Sequence, residues 1–127
     1  MKWHNCDYQT AKQKCPLSYW EDEPVVYKPK VTEHIDIICS HSAPSFCYPT
    51  DKGEIVEKFA EYDSTLLEDI RNERLTLDKV YEDYKDDVTH WYYGHFHKSQ
   101  MQTINKTQFK LLGIGEICRH YVDEQYL

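Results

Sequence analysis

Two short β-prone runs, each followed at once by a turn that carries histidine, constrain the fold of this chain most. Residues 35–39 are a β-branched run that leads into His41, and residues 88–93 are aromatic and β-prone and lead into His95 and His97. Runs of this kind that end in polar, Gly- or Pro-containing stretches are typical of buried strands. In α/β proteins, chemistry commonly lies just past the carboxyl end of such a strand. The two histidine turns are therefore the first candidate site.

The segment between the two strands has helical periodicity in three stretches. Asp51 and Glu54 have the spacing of a capping box and predict a first helix. Residues 63–65 (Asp-Ser-Thr) predict the start of a second, short helix. A third helix is predicted behind Thr76, because apolar side chains recur there at helical intervals. The order strand, helix, strand favours an α/β fold. The apolar positions of the third helix are Leu77, Val80, Tyr81 and Tyr84.

The ends of the chain have weaker patterns. Residues 101–104 and 108–112 flank Asn-Lys-Thr at 105–107, which indicates a β-hairpin. Residues 1–34 have weak periodicity and three prolines, so they are expected to form an irregular N-terminal arm. Residues 119–127 are polar and are expected to form a frayed tail.

Charge and cysteine content exclude several classes of function. The chain has 22 acidic and 15 basic residues, a formal net charge of −7, which argues against a nucleic-acid-binding surface and against adsorption to an anionic membrane. No apolar run approaches the ~20 residues that span a bilayer, and the first residues lack the apolar core of a secretory signal. A cytoplasmic location is therefore expected. The five cysteines contain no C-x-x-C pair and are expected to be free thiols.

The apolar content is low for a self-sufficient domain. Without tyrosine and with glycine, apolar residues make up about 35% of the chain, whereas a globular domain usually has roughly 45–50%. Eleven tyrosines must therefore contribute an unusual share of the buried surface. We expect the chain to need a partner, either a second copy of itself or a complementary polypeptide.

Three histidines in the two turns are candidate metal ligands. In a strand-like turn, residues i and i+2 point to the same side, so His95 and His97 could face one cleft with His41. Gly94 lets the chain turn sharply there, because it has no Cβ. Neutral imidazole is a common ligand of transition metals. The alternative is that these side chains hydrogen-bond within loops and bind no metal. The remaining histidines have no partner motif and are expected to be structural: His4, His34, His90 and His120.

Two motifs of this chain resemble the end of a known domain. Residues 40–44 (SHSAP) and 91–97 (WYYGHFH) are similar to the last two motifs of the calcineurin-like metallophosphoesterases, a strand ending in [T/S]-H-x-x-P and a strand ending in G-H-x-H. Residues 19–23 (YWEDE) and 63–67 (DSTLL) also look like that family. The resemblance covers roughly residues 5–118.

The resemblance implies a fold and an activity. The implied fold is α/β, with residues 35–118 forming the C-terminal half of a layered β-sandwich flanked by helices. The implied activity is hydrolysis of a phosphate ester at a dinuclear centre of Mn, Fe, Zn or Ni, whose ions generate hydroxide and neutralise phosphoryl charge. By motif position, His41 and His95 would bind one ion and His97 the other.

The chain departs from the family in one half of the site. It contains no D-x-H, no G-D-x-x-D and no G-N-H-[D/E], so the aspartate that bridges the metals and the histidine that assists the leaving group have no counterpart. Two close dications without a bridging anion repel each other strongly. Three imidazoles could still hold one ion, because three protein ligands plus water is a known zinc arrangement. The chain therefore looks like the C-terminal half of such a domain, starting at its own methionine, without catalytic residues and inactive alone.

Two other functions stay open from the sequence. A separate polypeptide that supplies the missing motifs would make this chain one half of an enzyme assembled in trans, and only then would a phosphate ester be its substrate. The other alternative is a non-enzymatic interaction or metal-binding protein that uses its tyrosine-rich surface, because tyrosine and tryptophan are enriched at interfaces.

Overall fold

The computed structural model of this protein describes residues 26–30, 33–47, 49, 60–61 and 64–122. The predicted helix that begins at Asp51 and Glu54 lies outside these ranges, as do most of the N-terminal arm and residues 123–127. In chain order the elements are β1 (Ile37–Ser40), a single 3-10 turn (Ser45–Cys47), α1 (Leu66–Tyr84), β2 (His90–Tyr93), β3 (Gln100–Ile104) and β4 (Thr107–Leu111).

The strands form one mixed sheet of four in the order β1-β2-β4-β3. β1, β2 and β4 are parallel neighbours, so their carboxyl ends lie at the same edge of the sheet, and β3 is antiparallel to β4. Parallel strands need a crossover connection, and α1 lies in the connection from β1 to β2. The predicted α/β class is confirmed.

The core lies between α1 and one face of the sheet. Trp91 and Tyr93 of β2 and Phe109 of β4 are buried there, and the Tyr81 ring of α1 lies 5.6 Å from the Phe109 ring and 6.4 Å from the Trp91 ring. Each buried large side chain contributes about 1.5–3 kcal/mol by its removal from water. Aromatic rings therefore supply much of the stabilising contact in a chain with few aliphatic residues. The other members of the cluster are Ala43, Cys47 and Leu111.

One helix replaces the two that the sequence predicts between residues 64 and 84. α1 has 19 residues and begins after Thr65, as the pattern at 63–65 predicts. The predicted second start at Thr76 is wrong, because α1 continues through it without interruption. The physical reason is local: residues 70–76 contain no glycine or proline, and a single threonine in a helix interior costs only a few tenths of a kcal/mol. A threonine alone therefore does not end the backbone hydrogen-bond ladder.

The hairpin β3–β4 forms where the sequence predicts it. Ile104 pairs with Thr107, so the connecting turn is Asn105-Lys106. Asn105 has a positive φ of 53°, a left-handed conformation that asparagine tolerates better than most residues. Its side-chain amide donates a hydrogen bond to the Tyr81 hydroxyl at 2.9 Å, which ties the turn to α1.

The segment after β4 contacts the sheet face opposite α1 through its side chains. The hydroxyl of Tyr92 lies 2.7 Å from Nδ1 of His120, and the Glu116 carboxylate lies 3.6 Å from Nζ of Lys110. Residues 119–122 of the expected polar tail have no helix or strand, and His120 among them contacts Tyr92 and His90 of β2. In the part of the chain that the structure describes, no helix has the length and apolar character needed to cross a membrane.

Candidate functional site

The two predicted histidine turns meet at one edge of the sheet. β1 and β2 are adjacent and parallel with Ser40 opposite Tyr93, so the residues that follow each strand are neighbours. Nε2 of His41 lies 2.9 Å from Nδ1 of His95, and the ring centroids are 4.7 Å apart. Both histidines are exposed, so the pair of imidazoles is open to solvent.

The turn after β1 is fixed by side chains around it. The Ser40 hydroxyl donates to the Ser42 carbonyl at 2.5 Å and accepts a hydrogen bond from Nε1 of Trp91 at 2.7 Å. Farther along, the Asp78 carboxylate of α1 accepts from the backbone N–H of Ser45 at 2.7 Å and from its hydroxyl at 2.8 Å. The turn that carries His41 is therefore attached to the core through Ser40 and Trp91, and to α1 through Ser45 and Asp78.

The turn after β2 is made by the histidines themselves. His95 and His97 have positive φ values of 72° and 55°, and Phe96 donates its N–H to the carbonyl of Gly94 at 2.9 Å. The expected role of Gly94 is not supported, because its φ is not positive and no heavy atom beyond its two chain neighbours lies within 4 Å of where its Cβ would be. The Gly94 N–H instead donates to the His41 carbonyl at 3.3 Å, which ties the two turns together.

The premise that residues 95–97 continue as a strand is wrong. β2 ends at Tyr93, and two left-handed residues follow it, so alternation along a strand does not decide where His95 and His97 point. Across residues 26–30, 33–47, 49, 60–61 and 64–122, no three His, Cys, Asp or Glu side chains are grouped so that they could hold one metal ion. The structure thus brings His41 and His95 together and does not add His97 to them as a third ligand.

A carboxyl group that the sequence did not single out lies beside this pair. Burial raises the pKa of Glu73 of α1, and the neighbouring His41 and Arg74 lower it only in part. The Ser42 side chain is buried, and among the described residues its hydroxyl has no partner at ordinary hydrogen-bond distance. At longer range the Ser42 hydroxyl lowers the pKa of Glu73. Nothing in the helical periodicity marks Glu73, because it lies on α1 between polar neighbours.

His34, His90 and the Cys47 thiol each have contacts or surroundings of their own. His34 pairs with Asp36 at 2.7 Å on the surface, and His90 contacts His120 on the opposite sheet face. Burial raises the pKa of the Cys47 thiol to about 12, so it stays protonated at neutral pH.

Comparison of the chain with protein-family models, with curated proteins and with solved structures gives no match. What the imidazole pair can bind therefore follows from its geometry and chemistry.

Proposed function

We propose that this chain is part of a metal-dependent phosphoesterase, the C-terminal half of a layered β-sandwich flanked by helices, and that His41 and His95 bind a divalent transition-metal ion. The observation that carries the proposal is the 2.9 Å separation of Nε2 of His41 and Nδ1 of His95 at the carboxyl ends of adjacent parallel strands. Ligand sites in open α/β sheets lie at such strand ends.

The distance between the two nitrogens fits a shared ion. Two nitrogens that each lie ~2.1 Å from one ion are separated by about 3 Å at right-angle coordination and by slightly more in a tetrahedron. When the imidazoles hydrogen-bond to each other, one nitrogen of the pair carries the proton. When an ion takes the place of that proton, each neutral ring keeps its single N–H on the nitrogen that faces away from the ion. Protonation of a ring to imidazolium removes the ligating lone pair, so binding should weaken as the pH falls.

The ligand set of this chain is incomplete for hydrolysis. A divalent ion in a phosphoesterase supplies a hydroxide nucleophile and neutralises charge on the phosphoryl oxygens. Here the two imidazoles would hold the ion, with the Glu73 carboxyl of α1 as a neighbour of His41. The motif that would supply a bridging aspartate is missing from the sequence. We therefore propose that activity requires a complementary polypeptide, and that the chain alone binds metal without turnover.

Metal titration tests the ligand pair. We expect the full chain to bind one Zn²⁺ or Mn²⁺ ion in isothermal titration calorimetry, and His95→Ala to weaken binding by about tenfold or more, because one of two protein ligands is lost. The matched control is His34→Ala, which removes an exposed imidazole on another part of the surface. Equal affinities of the wild type and His95→Ala, or an equal loss in both variants, would contradict the assignment.

Hydrolysis assays test the incomplete site. With Mn²⁺ present, we expect the purified chain to give no turnover of p-nitrophenyl phosphate or of bis(p-nitrophenyl) phosphate above the metal in buffer, because the chain brings imidazoles without a bridging carboxylate. Robust turnover that disappears in His95→Ala would show that the chain is a complete enzyme. Absence of both turnover and metal binding would instead favour the non-enzymatic interaction protein.

A further inference from the structure

The C-terminal segment is held on the sheet at two separate points. At the first, the Glu116 carboxylate accepts a hydrogen bond from the Gly113 N–H at 2.8 Å and lies 3.6 Å from Nζ of Lys110. At the second, Nδ1 of His120 lies 2.7 Å from the Tyr92 hydroxyl, and the His120 ring meets the His90 ring edge-on with centroids 4.5 Å apart. We call residues 117–122 the C-terminal latch.

Side chains, rather than a backbone ladder, hold the C-terminal latch. Cys118 and His120 are half-buried, whereas Ile117 is 94% exposed and Tyr121 is 79% exposed. Inward and outward side chains therefore alternate as in a strand. Within the described residues, no backbone hydrogen bond joins residues 117–122 to the sheet. The side chains that attach the latch are therefore His120, which contacts His90 and Tyr92, and Cys118, which interacts with the Tyr92 hydroxyl.

Among the described residues, no carboxylate pairs with the imidazole of His90 or of His120. The Thr89 hydroxyl lies 2.9 Å from Nδ1 of His90, and the Glu116 carboxylate lies 3.6 Å from Nζ of Lys110. The carboxylate of Asp36, before β1, pairs with His34. Within the described residues, the other titratable or charged groups on the elements around the pair are Cys39 of β1, Tyr92 of β2, Lys110 of β4, and Cys118, Arg119 and Tyr121 of the segment.

We propose that His90 and His120 form a pH-sensitive device, in which neutral imidazoles hold the C-terminal latch on the sheet and protonation of both releases it. Two imidazolium rings at this separation repel each other, and histidine is the side chain whose charge changes between about pH 5 and pH 8. Release uncovers Tyr92 and the sheet face opposite α1.

The direction of the effect follows from the ionisation of the docked state. Burial, and then the charge of His120, lower the pKa of His90 below its ordinary 6.5. The released state therefore binds protons more readily, so docking is strongest above the ordinary pKa and weakens as the pH falls below it. The Glu116 pKa is also lowered, first by its bond to the Gly113 N–H, so the first attachment persists in this range. Release should be confined to residues 117–122.

Backbone NMR relaxation of the ¹⁵N-labelled full chain tests the latch. At about pH 7.5, we expect order parameters near ~0.8 for residues 118–122, and at about pH 5 values below ~0.6, which mark a flexible backbone. Residues 113–116 should keep their order at both pH values. His90→Gln and His120→Gln cannot acquire the charge, and in both variants the order of residues 118–122 should no longer depend on pH.

The matched control is His34→Gln, which removes another titrating histidine that lies on the surface beside Asp36. This variant should keep the full pH dependence of residues 118–122. The proposal is overturned if residues 118–122 of the wild type have the same order at both pH values. It is also overturned if the loss of order persists in both latch variants, or if residues 113–116 lose order together with the latch.

Discussion

Trp91→Ala is expected to lower the free energy of unfolding by about 3–5 kcal/mol, the range for removal of a large buried aromatic side chain. Trp91 is fully buried, stacks on Phe109 with ring centroids 5.6 Å apart and donates Nε1–H to the Ser40 hydroxyl at 2.7 Å. The substitution leaves a cavity between α1 and the sheet and removes one anchor of the turn that carries His41. Urea unfolding followed by far-UV circular dichroism measures the change.

Two further variants provide comparisons for the stability change of Trp91→Ala. Trp91→Phe keeps most of the ring volume and loses the indole donor, so we expect a cost of about 1–2 kcal/mol. Tyr121→Ala removes an aromatic ring that is 79% exposed and should change stability by less than about 0.5 kcal/mol. A cost of Trp91→Ala as small as that of Tyr121→Ala would show that the aromatic core described above is not the core of the folded protein.

Thr76→Pro is expected to destabilise the protein by about 3 kcal/mol or more, because proline in a helix interior removes a hydrogen bond and clashes with the preceding turn. Thr76 lies near the middle of α1, which packs on the sheet through Tyr81 and Leu77. Thermal unfolding measured by circular dichroism should show a large decrease in Tm.

The same substitution distinguishes one helix from two. If a second helix began just after residue 76, proline there would be well tolerated, since proline is favoured at the start of a helix. Thr76→Ala is the control: alanine has the higher helix propensity, so the variant should be as stable as the wild type or slightly more stable. Equal Tm values for Thr76→Pro and Thr76→Ala would contradict a continuous α1.

Much of the sheet could be predicted from local patterns. Residues 35–39 and 88–93 have the β-branched and aromatic character that gives β1 and β2, and Asn105 marks the hairpin because it tolerates a left-handed backbone. The false helix start at Thr76 arose because threonine is a good capping residue but also fits inside a helix when its neighbours are strong helix formers. Local propensity cannot decide between these two uses, since the decision depends on packing of α1 against the sheet.

Half of the candidate site could be predicted as well. The position of His41 and His95 after two strands predicted that they lie close, and the parallel register of β1 and β2 places them so. The geometry at His97 could not be predicted, because it depends on positive φ values at His95 and His97, on either side of Phe96, and only glycine and asparagine usually signal such values in a sequence. The contact of His120 with Tyr92 could not be predicted either, because a single side-chain hydrogen bond produces no periodic pattern in the sequence.

The order of the strands has a consequence for how the protein folds. β3 and β4 are joined by a two-residue turn. In contrast, roughly 50 residues separate β1 from β2, so pairing of these two strands closes a long loop, which is slow and entropically costly. We therefore expect the hairpin and α1 to form early and β1 to be added last. Since His41 follows β1, the two imidazoles become neighbours only in the final step. The rate at which the contact between His41 and His95 forms should therefore equal the rate at which the native state forms.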